Sequence, residues 1–355
     1  MSARVRDARL DGIRGIAVLL VVLYHASGPH GFGNGRLLPG GWNGVQVFFV
    51  LSGYLITSLL LAEHDATGTV DRRAFYRRRV RRLVPALSVL LVAWLAVALS
   101  GALAVQLFGN DAPRIDRSLA LAPVLGLATV SYNWLLAFDL PTPSGMGHLW
   151  TLSVEEQFYL LLPTVVLFAR RRLHEIVVAA TGVCLIVTVV AQMHGQRDFV
   201  YFSTPTSGVG LLLGALVATA PPRVGRRGSR ATLALLAACS LLVADDDARL
   251  LPWAALAASV AAVVLIVERP GFLAHPWLGY AGRRSYAVYL WNLPLVYALT
   301  LQHVWTPALD VVEIVGSFAL AELSWRLVER RFLARRERPD RSRAVPIVLS
   351  GEGGI

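Results

Sequence analysis

The sequence predicts an all-α, polytopic transmembrane helix bundle, and three observations carry that expectation. Of 355 residues, 55% are hydrophobic and only 16% are charged, with a mean hydropathy of +0.56; so little polar surface cannot cover a soluble globule. Apolar stretches near the ~20 residues that cross a bilayer recur along the whole length, among them Gly12–Ser27, Trp42–Ala62 and Leu83–Leu103. Arginine-rich segments separate the apolar ones: seven Arg in Arg72–Arg82, three in Arg170–Arg172, four in Arg223–Arg230 and eight from Arg326 onward. About ten crossings plus one re-entrant or interfacial segment are expected. The transmembrane domain should cover residues 1–333, and residues 334–355 should form a disordered tail.

Each element follows from where the charge falls. The first apolar stretch is flanked by Arg14 and lacks a small-residue cleavage site, so it reads as a retained helix. Arginine clusters stay on the cytoplasmic side, which puts both termini there and assigns the chain to the cytoplasmic (inner) membrane. The loops Pro29–Gly41, His194–Thr206, Asp245–Arg249 and Leu301–Pro307 are poor in Arg, as outer loops should be. One region breaks the alternation. Leu83–Leu107, Leu119–Phe138 and Leu149–Phe168 lie between two Arg-rich flanks, and three full crossings would put those flanks on opposite sides. The middle stretch holds Pro123, Gly126, Ser131 and Asn133, and is expected to be re-entrant or interfacial, lining a cavity.

The net charge of +11 does not mark a nucleic-acid partner, because the 34 basic residues are all Arg and sit mostly in short segments between apolar spans. The absence of Lys also excludes a Walker-type phosphate loop and Schiff-base chemistry. Cys184 and Cys239 lie in apolar stretches without metal-ligand spacing, and no metal is expected.

Chemistry-bearing residues recur at depths where they are costly. In the first helix Arg14 precedes His25 by eleven residues, a depth difference of about 16 Å. Arg14 then sits near the cytoplasmic surface and His25 near or beyond the midplane. An ionisable group there is costly, about 2.5–3.5 kcal/mol for Arg or Asp on insertion scales, so it usually has a function and a partner. A packing imidazole bonded to a neighbouring helix and a functional base both fit. In the second helix, Ser52-Gly53-Tyr54 lacks the surroundings of a Gly-x-Ser-x-Gly elbow, which argues against covalent serine catalysis. Arg79 and Arg82, three apart, share a helical face and suit either topogenic charge or phosphate binding.

The run His148-Leu149-Trp150-Thr151-Leu152-Ser153-Val154-Glu155-Glu156-Gln157-Phe158-Tyr159 enters the membrane from the outer side. Glu155 is about 10 Å below His148. Adjacent acids do not share a face, so one must point into the bundle or a wet cavity. The segment Ser285–Leu295 adds buried polar groups, and an interfacial aromatic belt with a proline kink is also a reasonable reading of it.

In this order the segments resemble the acyltransferase-3 family of multipass membrane acyltransferases, which includes bacterial O-antigen acetylases and macrolide O-acyltransferases. The match runs from about Leu10 to Phe332. It rests on Arg14 and His25, on Ser52-Gly53-Tyr54, on Arg79, Arg82 and Pro85, and on His148 through Tyr159. The resemblance implies acyl-CoA as donor, acetyl-CoA or a short-chain acyl-CoA, reaching the protein from the cytoplasm. It implies a hydroxyl of a sugar, glycolipid or secondary metabolite as acceptor. Three positions depart from the family pattern: Gln46 replaces an acid, Asn292 a histidine, and Ser207 stands near where an arginine is common. These touch acceptor choice or a support network more than reaction type.

The expected mechanism is direct transfer, with His25 as base and Arg14, Arg79 and Arg82 holding the CoA phosphates. Glu155 either orients the imidazole or fixes the acceptor. Asp11, Ser52, Tyr54, His148, Trp150, Tyr159 and Asn292 are expected to contact substrate. The rival is a transporter or exporter of a small metabolite or glycan precursor, since buried charge also marks transport paths; no inverted repeat is evident.

Overall fold

The computed structural model describes residues 7–26, 38–100, 119–143, 145–223, 225–243, 247–300 and 307–334. Among these the regular secondary structure is helical throughout. Four helical segments are long and apolar enough to cross a membrane: Gly41–Thr67, Arg72–Leu99, Gly147–Met193 and Leu251–Glu268. Length and composition establish those four; the expected ten remain an expectation.

Helix α1 (Ala8–His25) starts at Asp7, whose carboxylate accepts from the Arg9 amide. Helix α2 (Gly44–Thr67) follows a 3₁₀ turn, Gly41–Asn43, and stops at Gly68, where φ of 72° suits a residue without Cβ. Helix α3 (Arg72–Leu99) begins at the Asp71 cap, with Ala74 N donating to Oδ1 at 2.8 Å. The arginine cluster is therefore the first turns of a helix rather than a loop, and Arg79 and Arg82 do share a face.

The stretch singled out by parity is broken. Helix α4 (Ala122–Ala128) and helix α5 (Tyr132–Ala137) have 7 and 6 residues. At ~1.5 Å per residue neither approaches a ~30 Å hydrocarbon core. Val130 between them has φ of 56°, and its carbonyl accepts from Gln157 Nε2 at 2.7 Å. The same amide reaches Asn133 Oδ1 at 3.0 Å, and Thr204 Oγ1 donates to Gln157 Oε1 at 2.5 Å. Broken backbone at this position is tolerated because protein groups replace the helical bonds it forfeits.

Helix α6 (Trp150–Ala169), a 3₁₀ turn at Arg170–Arg172 and helix α7 (Leu173–Met193) follow. Short helices α8 (Arg197–Phe202) and α9 (Thr204–Ser207) lead into α10 (Val209–Thr219). Then come α11 (Arg226–Leu242), α12 (Leu251–Glu268), α13 (Pro276–Thr300) and α14 (Pro307–Ser324). A π turn, Trp325–Glu329, joins α14 to α15 (Arg330–Ala334). Ala334, expected to open the tail, closes that helix; residues 335–355 lie outside the described residues, as does most of the expected loop at Pro29–Gly41 and of that at Leu301–Pro307.

Two close helix pairs position the site. α1 packs on α13 where Gly15 faces the Leu278 backbone and Gly282 faces the Asp11 carbonyl. α2 packs on α10 where Gly53 faces Leu211 and Gly214 faces Val50. A Cβ at any of the four would run into backbone, so small residues let these axes approach and bring Arg14 and Ser52 to one interior.

Candidate active site

Three chambers lie in a row through the bundle, each sharing walls with the next. The first, about 650 Å³, opens at the end that carries the arginine-rich segments. Four guanidinium groups line it, from Arg14, Arg82, Arg269 and Arg283, beside the carboxyls of Asp7, Asp11 and Glu329. Asp11, 3% exposed, lies 3.6 Å from Arg14 Nη1 one helical turn on. Arg269 donates through Nη1 to Asp7 Oδ2 and through Nη2 to the Tyr54 hydroxyl, both at 2.7 Å. Its backbone is left-handed, φ 45°, at the end of α12. A non-glycine residue held there is strained, and the two side-chain contacts help to hold it. Burial pushes the Glu329 carboxyl up to about 7, against the opposing pull of its Ser324 hydrogen bond and of Arg82 and Arg284.

Arg14 and Arg82 also line the second chamber, about 100 Å³, together with Arg79, Ser52, Glu155 and Tyr159. Glu155 is fully engaged: Ser52 Oγ donates to Oε1 at 2.9 Å, and the Tyr159 hydroxyl donates to Oε2 at 3.0 Å. Arg79 lies 4.6 Å above the Tyr159 ring, a stacking that holds the guanidinium beside the carboxylate.

The second and third chambers meet at Val45, Thr151 and Tyr289. The Tyr289 hydroxyl is bonded to Thr151 Oγ1 at 2.5 Å and to the His148 carbonyl, which holds the ring in place where the two chambers adjoin. The third chamber, about 230 Å³, is lined by His25, His148, Trp150 and Tyr201 among others. Trp150 packs edge-on to Phe49 and Phe202, with ring centroids 5.8 and 5.4 Å apart. His148 is 7% exposed, and among the described residues no hydrogen bond of good geometry reaches either ring nitrogen.

The His25 imidazole has its tautomer set from α13 and α14. Ser317 Oγ donates to the Glu313 carbonyl at 2.7 Å, which leaves the oxygen to accept from Asn292 Nδ2 at 3.0 Å. The amide oxygen of Asn292 therefore faces His25 Nδ1, 2.5 Å away. An amide oxygen only accepts, so Nδ1 carries the proton and Nε2 keeps its lone pair. The arrangement makes His25 a proton acceptor with one basic nitrogen.

Arg14, Arg79, Arg82, Asp11, Ser52, Tyr54, Glu155 and Tyr159 thus line the first two chambers, and His25, His148 and Trp150 the third. Glu155 takes its partners from Ser52 and Tyr159, while the imidazole takes its partner from Asn292. Asn292 is 1% exposed and acts on His25 rather than lining a chamber. Arg269 and Tyr289 lie in polar runs inside apolar surroundings, Glu268-Arg269-Pro270 and Ser285–Asn292, which are the sequence signals for both; Tyr201 carries no comparable signal.

Residues 7–321 match the family model described as an acyltransferase domain. The chain is 30% identical over 354 residues to the O-acetyltransferase OatA of Staphylococcus aureus, in strain NCTC 8325 / PS 47 and in strain COL, covering 90% of this chain and 56% of each relative. It therefore spans little more than half the length of the curated relatives it matches. No solved structure matches it.

Proposed function

Because the chain belongs to this acyltransferase family, we propose that it is a membrane O-acyltransferase that moves an acyl group from acyl-CoA, acetyl-CoA or a short-chain homologue, to a hydroxyl of a sugar, glycolipid or secondary metabolite. The observation that carries the reading is the proton-accepting tautomer of His25, set by Asn292 and Ser317 at the far end of a row of chambers that starts at an arginine-lined mouth.

The mouth fits the phosphates of CoA in charge and in donor geometry, since guanidinium forks pair with phosphate oxygens. Arg14 and Arg82, with Arg269 beside them, hold those phosphates on the cytosolic side of the inner membrane. Acyl-CoA supplies the activated thioester. From Arg14 to His25 the first helix rises about 16 Å, a span that suits the extended arm between phosphates and sulfur. His25 Nε2 takes the proton of the acceptor hydroxyl as its oxygen bonds to the thioester carbonyl carbon. The carbon–sulfur bond then breaks, and the proton passes from Nε2 to the departing sulfur, so free CoA and an O-acyl ester result. General-base help of this kind supplies about 10²–10⁴-fold, and alignment of the two reactants much of the rest. Glu155 sits between Ser52 and Tyr159 and keeps Arg79 in place beside the path.

Purified protein given radiolabelled acyl-CoA tests the reading. Release of free CoA that depends on His25 supports transfer. A carrier would bind or move a substrate without releasing CoA, and full CoA release by a correctly inserted His25→Ala variant would remove His25 from the mechanism.

A further inference from the structure

A crevice between α7 and α12 abuts the His25 chamber and shares Trp42 and Tyr201 with it. None of the side chains that line it is charged. Its rim is apolar and turned outward: Trp253 is 55% exposed, Val189 42% and Leu185 36%, beside the exposed aliphatic side chains of Ile186, Val190 and Val260. Its floor is polar. Thr206, Ser207 and Ser259 each donate to a backbone carbonyl, at 3.1, 2.7 and 2.8 Å, and Gln192 Nε2 donates to the Ala248 carbonyl at 2.7 Å. Gln46 is the exception. It is 7% exposed, lines the crevice, and its amide has no hydrogen-bond partner among the described residues.

The amide opens onto the crevice with a donor and an acceptor to offer, so it suits a ligand that carries both an acceptor and a donor. A charged ligand would be desolvated there without a counter-charge, at a cost of several kcal/mol. The exposed apolar rim excludes a fully hydrophilic one, because its approach would cross hydrocarbon. We infer that this crevice binds the non-reacting body of the acceptor, an uncharged, hydroxyl- or amide-bearing amphiphile that comes from the lipid phase and presents its hydroxyl to His25 past Trp42 and Tyr201. The inference rests on the acyl-transfer reading for the role of the bound molecule, and on the crevice alone for its chemistry.

The test needs no turnover. The full chain in lipid nanodiscs is photolabelled with an alkyl β-D-glucoside that carries a diazirine in its tail, and labelled peptides are mapped by mass spectrometry. Labels should fall on Leu185–Gln192 and Leu251–Ser259. Octyl glucoside below its micelle concentration should compete, and octyl glucuronide, which adds a carboxylate, should not. Gln46→Leu should raise half-saturation about two- to tenfold, the range of one neutral hydrogen bond. Ala255→Phe, which fills the crevice from its half-buried wall, should remove the labels; if one variant fails to fold, the other decides. Labels elsewhere, labelling that a folded variant leaves unchanged, or equal competition by the glucuronide would overturn the inference. His25-dependent CoA release is measured separately, so loss of the catalytic reading and loss of the crevice are told apart.

Discussion

The arginine-lined mouth and the His25 chamber sit at opposite ends of one path and handle polarity in opposite ways. At the mouth, four guanidinium groups and three carboxyls share a space of about 650 Å³, where water and mutual pairing keep charge affordable. At the far end the proposed base is an imidazole whose partner is a neutral amide, backed by a hydroxyl and a backbone carbonyl. Charge binds where it is solvated; at depth, neutral hydrogen bonds set a proton's position without the desolvation penalty of an ion pair. The boundary is Tyr289, bonded on both sides and lining both inner chambers.

The largest expected effect lies at the neutral end. His25→Ala should lower kcat by about 10²–10⁴-fold, with donor binding retained; measured CoA release and donor KM would separate the two. Asn292→Leu comes next. It removes the bond that holds the proton on Nδ1 and that stabilises the imidazolium as it forms, worth about 1.5–3 kcal/mol, or roughly ten- to a hundredfold in kcat. Donor KM should not move, and a shifted pH profile of kcat would distinguish positioning from loss of fold.

The charged end should respond in the other parameter. Arg82→Ala or Arg269→Ala should raise donor KM on the order of tenfold, the worth of one charge-assisted hydrogen bond, and leave kcat nearly unchanged. If either substitution acted mainly on kcat, the division between the two ends would fail. The smallest effect concerns Glu329, whose carboxyl burial holds near 7. Below that pH it is neutral; above it, a negative charge lines the mouth proposed to hold the donor phosphates. Donor KM should therefore rise a few-fold as pH climbs through about 7, and Glu329→Gln should flatten the rise. Because the folded value lies above the ordinary 4.5, ionisation of this group also disfavours the fold, so the stability it contributes when protonated is lost as pH rises.

Much of this was legible before any coordinates. The spacing of Arg14 and His25, the pair Arg79 and Arg82 on one face, and an acid deep in the His148–Tyr159 run all reflect helical periodicity, which is local. The break near Val130 was signalled by Pro123, Gly126, Ser131 and Asn133, yet nothing in that stretch announces Gln157 as the residue that satisfies it. The run from Arg72 was harder to place, because charge density marks a membrane boundary without saying whether the backbone there is helix or loop.

Residue order and composition were enough to establish helices, a membrane setting and which side chains are costly enough to have a purpose, since these follow from 3.6-residue periodicity and the price of burying charge. Packing alone chose the partners. His25 and Asn292 are 267 positions apart, and Arg269 meets Tyr54 across 215. Such pairings depend on the close approach of helix axes at Gly15, Gly282, Gly53 and Gly214, a property of surfaces brought together in space that no stretch of chain holds alone.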